Sequence, residues 1–228
     1  MLGGIAPLIW NVSLLLAGRL GADPLAEMIH ASGWWAMALL LVTLSVSPLR
    51  RLSVWAARHV ELRFGRRISD LNSLVRHRRQ LGLWSFFYAL VHVSLHAVLA
   101  AGSVEEFLLD VRERPFVMVG LVAFLLLVPL AATSSAAAMR LLQRHWARLH
   151  RLVYLAAALG VLHTWWQTKA GHPYPWGFAL LTAALLGVRL WMRLERGVLA
   201  ARRLNALRRL VRRRQGRLRH RAAPDVSG

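Results

Sequence analysis

Cysteine is absent from the 228-residue chain, which removes disulfides, thiolate metal sites and cysteine-ligated clusters. Acidic residues are scarce, 10 against 30 lysines and arginines, and nearly all of them fall outside the apolar runs. That leaves a poor basis for a carboxylate proton relay through a membrane. Lysine is reduced to Lys169 alone. No glycine-rich dinucleotide fingerprint follows a strand, so no nicotinamide domain is encoded, and no nucleophile–base arrangement stands out. The opening apolar run has no basic segment before it, so no cleavable signal is read there.

What is present is apolar and basic. Hydrophobic residues make up 57% of the chain and the formal charge is +20. Long runs almost free of charge alternate with arginine clusters, the pattern of a polytopic helical membrane protein. The arginines sit at the ends of apolar spans, where phospholipid headgroups account for them better than nucleic acid does.

The pattern predicts an all-α membrane protein, a bundle of six transmembrane helices. The spans are about 3–18, 32–48, 81–101, 115–133, 149–167 and 176–192. The first is short for a hydrocarbon core of about 30 Å. Residues 49–80 form a long connection with nine arginines, which the positive-inside rule places in the cytoplasm. Both termini then fall on the cytoplasmic side, and the loop 102–114, with Glu105, Glu106, Asp110 and Glu113, faces outward. Residues 1–194 form the membrane domain. The basic tail 195–228, with Leu204, Leu207 and Val211 on one helical face, either lies on the anionic inner leaflet or is solvated.

Histidines carry the functional signal. His30, His59, His77, His145, His172 and His220 fall in loops or at span ends and read as solvated rings. His92 and His96, four residues apart, share one helical face of the third span. His150 and His163 lie near the two ends of the fifth. An imidazole at membrane depth is costly without a partner. A metal held between the two spans, iron in haem above all, answers that cost. At about 1.5 Å per residue, His92 lies about 16 Å and His96 about 22 Å into their span, against about 21 Å for His163. Depth alone thus leaves both His92 and His96 as partners for His163. His150 is about 20 Å from His163 along an ideal helix and about 140° away around it. It either needs a bulge or kink, for which Gly160 is a candidate, or serves a second haem, a flavin or a quinone. Arg148 and Arg151 beside it suit haem propionates, a flavin phosphate or lipid headgroups. Trp165, Trp166 and Trp176 at one level, and Trp84 and Trp146 at the other, read as interfacial anchors.

Gly21-Ala22-Asp23-Pro24, Leu81-Gly82-Leu83-Trp84, Leu90-Val91-His92, Arg114-Pro115-Phe116, Thr133-Ser134, Trp146 through Leu149-His150 with Val153-Tyr154, and His163 with Trp165 together resemble the MsrQ (YedZ) family. This is the haem-bearing membrane subunit of the bacterial methionine-sulfoxide reductase system, within the ferric-reductase-like transmembrane superfamily. The resemblance covers nearly the whole chain. It implies a six-helix inner-membrane protein that binds haem b, one or two per chain, and FMN. It also implies electron input from the quinone pool or a cytosolic flavin reductase, and output to the periplasmic molybdopterin reductase MsrP, which repairs oxidised envelope proteins. The family's haem histidines correspond to His92, His150 and His163, which favours His92 over His96. The connection 49–80 is longer than the family pattern, with 54–74 as the apparent insertion. The function expected is an electron-transfer subunit, not a self-sufficient catalyst. Two rival readings use the same histidines: a direct ferric or oxygen reductase, and a histidine-relay transporter or proton channel.

Overall fold

The structure, a computed structural model, describes residues 4–59, 72–168, 175–195 and 197–198. Every regular element among them is helical. In chain order these are α1 (Ala6–Leu16), α2 (Pro24–His59), α3 (Asn72–Ser94) continued by a π-helical turn (Leu95–Ala100), α4 (Val104–Glu113), α5 (Pro115–Ala132), α6 (Ala136–Leu149) and α7 (Leu152–Gln167). The last is α8 (Pro175–Glu195). The backbone divides into two units, Met1–Leu185 and Leu186–Gly228, with the boundary inside α8.

Among the described residues, four stretches are long and apolar enough to cross a membrane: Pro24–Ser53, His77–Leu99, Pro115–Ala132 and Pro175–Glu195. These correspond to the second, third, fourth and sixth predicted spans. The first predicted span appears as α1, an apolar helix of 11 residues, and the fifth as α7, of 16 residues. At 1.5 Å per residue, α7 is about 24 Å long, under the span of a typical hydrocarbon core.

The connections differ more from expectation. The predicted polar connection 49–80 is helical at both ends: α2 runs through it to His59, and α3 already begins at Asn72. Residues 60–71 lie outside the described residues, as do Lys169, His172 and the tail from 199 onward with its leucine face and His220. The loop 102–114 folds as α4. Ser103 caps it by accepting a hydrogen bond from the Glu106 amide at 3.1 Å, and Glu105 and Glu106 occupy the first turn, where they oppose the helix dipole. The loop 133–149 folds as α6, capped by Ser135, which accepts from the Ala138 amide at 3.0 Å. The predicted fifth span, 149–167, is interrupted near its start: α6 ends at Leu149, α7 begins at Leu152, and His150 and Arg151 form the turn between them.

The core lies where α2, α7 and the first half of α8 meet, around Met37, Leu40, Leu41, Leu44, Ala157 and Leu185. Ala156 and Ala157 are almost wholly buried. Small side chains of this kind let helices approach closely where apolar burial from water cannot drive packing. Helices α2 and α3 are tied by the Ser85 hydroxyl, which donates to the Ala36 carbonyl at 2.8 Å. Phe86 of α3 stacks on Phe124 of α5, with centroids 5.7 Å apart. The Tyr88 hydroxyl holds the start of the chain: it donates to the Gly4 carbonyl at 2.8 Å and accepts from the Leu8 amide at 3.2 Å.

Tyr88 is 1% exposed, so removing its hydroxyl strips two backbone groups of their partner. Tyr88→Phe is expected to destabilise the detergent-solubilised chain by about 1–2 kcal/mol, read as a lowered thermal midpoint. An unchanged midpoint would show that the tyrosine does not hold α1.

Candidate functional site

Helices α2, α3, α5 and α7 supply most of the lining of a cavity of about 600 Å³, to which Phe107 of α4 and Phe178 of α8 also contribute, within the usual range for a small-molecule or cofactor site. His92 from α3 and His163 from α7 both line it. Their ring centroids stand 6.0 Å apart with the planes at 82°.

Each ring is held by a backbone carbonyl of a neighbouring helix. His92 Nδ1 bonds to the Ile29 carbonyl of α2 at 2.8 Å, and His163 Nδ1 to the Phe116 carbonyl of α5 at 2.7 Å. A carbonyl oxygen only accepts, so each Nδ1 carries the hydrogen and each Nε2 keeps its lone pair. This is the arrangement that orients and strengthens a histidine as a metal ligand. Among the described residues neither ring makes a second hydrogen bond.

Two glycines make room for this. A Cβ at Gly33 would stand 2.9 Å from His92 Nδ1, and one at Gly120 would stand 2.6 Å from His163 Nδ1. Any side chain at either position displaces the ring or breaks its carbonyl bond. The glycines serve close approach here, since neither has a positive φ.

The 6.0 Å spacing has a direct chemical meaning. With a metal–imidazole bond of about 2 Å and about 1.1 Å from nitrogen to ring centre, two imidazoles on one metal have centroids about 6 Å apart. Among the described residues no group of three or more His, Cys, Asp or Glu is placed to hold a metal ion. His92 and His163 would be the two residues to hold a metal whose remaining bonds a macrocycle supplies, and the residues present fit haem.

His96 lines the same cavity and also reaches α4. It lies in the π-helical turn, where the Ala101 amide bonds to the His96 carbonyl at 2.9 Å. Its Nε2 stands 3.4 Å from Asp110 Oδ2 of α4, close enough for an ionic contact yet not aligned for a hydrogen bond. Asp110 is paired in turn with Arg114 Nε at 3.2 Å. His30, predicted as a solvated ring, is exposed and contributes to the cavity rim.

His150 is not brought to this cavity. It sits in the turn before α7, stacked on Trp146 with centroids 4.0 Å apart. Thr133 donates its hydroxyl to the Pro129 carbonyl at 2.6 Å, so the 3.2 Å contact to His150 Nε2 is one in which the imidazole donates. The Trp146 indole nitrogen donates to the Thr133 carbonyl at 3.0 Å. Burial first, then the Arg78 guanidinium, lower the pKa of His150 below the usual imidazole value. Arg148 and Arg151 are exposed beside it and do not line the cavity.

The family model for the ferric reductase like transmembrane component matches residues 32–161, which include parts of α2, α3, α5 and α7. A protein of Xanthomonas axonopodis pv. citri, named protein-methionine-sulfoxide reductase heme-binding subunit MsrQ, is 40% identical over 195 residues, covering 85% of this chain and 82% of that one. The chain belongs to the MsrQ family. A second MsrQ heme-binding subunit, of Xanthomonas campestris pv. campestris strain B100, is 42% identical over 187 residues, 82% of this chain and 78% of its own. An MsrQ heme-binding subunit of Ralstonia nicotianae is 38% identical over 191 residues, 82% and 81% respectively. No solved structure gives a significant match. The MsrQ membership agrees with the resemblance read from the sequence motifs. In this chain two partly buried imidazoles line one cofactor-sized cavity.

Sequence reading missed Gly33, Gly120 and the carbonyls of Ile29 and Phe116. The glycines were visible as small residues in apolar helices, but nothing in the sequence shows which helix faces which. Their roles separate cleanly by substitution. Gly120→Ala is expected to destabilise the chain by about 1–3 kcal/mol, the cost of forcing a group into a packed site. Gly82→Ala, whose added methyl would meet only Thr43 Cγ2 at 3.7 Å, should be neutral or stabilise by up to about 1 kcal/mol, the helix preference for alanine. Equal effects of the two in thermal unfolding would contradict the packing role.

Proposed function

We propose that this chain holds haem b between His92 and His163 and serves as the membrane electron-transfer subunit of a methionine-sulfoxide reductase system. The observation that carries the proposal is the pair of opposed imidazoles, 6.0 Å apart, each with its Nδ1 committed to a helix carbonyl. Haem bound there would supply a one-electron couple, and His92 and His163 are the residues that would hold it. The chain's own residues set the conditions for it. The Ile29 and Phe116 carbonyls raise the basicity of the two rings and fix their tautomer. The apolar walls exclude water and keep the local dielectric low, which tunes a redox potential.

In this reading the bundle crosses the bacterial inner membrane six times, with α1 and α7 completing the set and residues 1–194 forming the membrane domain. Both termini and the basic tail 195–228 are cytoplasmic, because the arginine-rich His150 end is the inner one. The acidic helix α4 then faces the periplasm, next to His96 and the cavity, where the reductase MsrP would dock. Electrons enter from the quinone pool or a cytosolic flavin reductase at the His150 end. FMN, implied by the family resemblance, finds its candidate phosphate partners there in Arg148 and Arg151. His150 itself, a ligand in the family pattern, would serve a second centre at that end.

The match to the ferric reductase like model also favours a second reading, direct reduction of ferric chelates or oxygen. Reduced protein reoxidised as fast by an iron chelate as by MsrP would support that reading over the first.

Purified chain from haem-replete cells is expected to show a reducible b-type Soret and alpha band. His92→Ala and His163→Ala should each abolish most of it, while His96→Ala should leave the band positions unchanged. A spectrum unaffected by loss of either of the first two rings would overturn the ligand assignment.

A further inference from the structure

The cavity is polar at one end only. From the level of Gly33, His92, Gly120 and His163, its lining extends seven residues along each helix toward the His150 end, to Leu40, Ser85, Leu127 and Ala156. Seven residues of helix are about 10 Å. In this part the walls are Met37, Leu40, Ala89, Phe124, Leu127 and Ala156. The Ser85 hydroxyl there is already spent on the Ala36 carbonyl.

Toward the other end the lining extends about four residues on each helix, about 6 Å, to His30, His96, Phe116 and Gln167. Here three helices each present a side chain able to donate: His30 of α2, His96 of α3 and Gln167 of α7. Thr164 and Thr168 also line this end, but their hydroxyls donate to the Gly160 and Thr164 carbonyls at 2.8 and 2.7 Å. His96 Nε2 is buried and lacks an aligned hydrogen-bond partner. Its neighbour Asp110 is balanced by Arg114, so the rim carries no unmatched negative charge from that pair.

A haem is amphipathic. Its methyl and vinyl edge is apolar and its two propionates are ionised. An ionised carboxylate is not buried among apolar side chains without hydrogen-bond partners, and charge-assisted hydrogen bonds to donors are the strong ones. We propose that the porphyrin stands in this cavity with its propionates toward the His96 end, held by His30, His96 and Gln167, and its apolar edge toward Leu40 and Leu127. This rests on the haem reading above and adds the orientation and the residues that set it. It also separates the propionates from Arg148 and Arg151, which lie at the opposite end.

The test is a titration of full-length chain, purified in detergent from haem-starved cells, with haemin and with haemin dimethyl ester, followed at the Soret band. The ester keeps the iron and the ring but cannot present carboxylates. The parent chain is expected to bind haemin about tenfold more tightly or better, the loss expected for removing charge-assisted hydrogen bonds. The preference should collapse in His96→Leu/Gln167→Leu, or in Gln167→Leu alone should the double variant not fold. Equal affinity for the two compounds in the parent chain would overturn the proposal. So would a preference that survives these substitutions, or one abolished by Ser85→Ala instead, which would place the carboxylates at the far end. Binding of neither compound would count against the haem reading itself and is distinguishable from all of these.

Discussion

Two hydrogen bonds govern the arrangement of this protein: Ile29 carbonyl to His92 and Phe116 carbonyl to His163. Each joins a ring on one helix to the backbone of a neighbour, so four helices must be in register for both to form. Once formed, they settle the tautomer of each imidazole, and both rings line one cavity. Gly33 and Gly120 are the steric counterpart, since any larger residue would collide with the rings. Burying two imidazoles in an apolar bundle is expensive. One carbonyl bond apiece answers half of each ring's hydrogen-bonding capacity and leaves the other half for a ligand.

The two ends of the cavity bundle differ chemically. At one end stand Arg78, Arg148 and Arg151 around the His150–Trp146–Thr133 cluster, and Arg78 reaches Ser47 across from α3 to α2 at 3.3 Å. At the other lies α4, with Glu105, Glu106, Asp110 and Glu113, packed beside the π-helical turn that carries His96. A π-turn inserts one residue more per turn than an α-helix and recurs at functional sites. Here it follows directly on the helix that bears His92. The charge asymmetry that orients membrane helices and the polarity gradient inside the cavity therefore run along the same axis.

Much of this was legible in the sequence, for identifiable reasons. Apolar runs ended by arginines mark four of the helices because a hydrocarbon core demands such lengths. His92 and His163 stand out because an ionisable ring at depth needs a partner. Their pairing over His96 and His163 was not decided by depth, and the π-turn that swings His96 toward Asp110 leaves no mark in residue type. The break at 150–151 was equally invisible: the residues around it include no proline or glycine, and it is Thr133 and Trp146, distant in sequence, that hold His150 there. Helices α4 and α6 were readable from Ser103 with Glu106 and from Ser135 as caps, yet the polar composition of both stretches suggested loops. What stayed hidden throughout is which backbone faces which ring, since helix rotation is set by packing and not by local propensity.

The near-perpendicular planes of His92 and His163, 82° apart, can be examined by electron paramagnetic resonance of the oxidised, haem-loaded chain. Two crossed imidazoles on one ferric iron should give a low-spin signal of large anisotropy, and no high-spin component. A high-spin signal, or the rhombic low-spin signal of parallel ligand planes, would contradict the site as described.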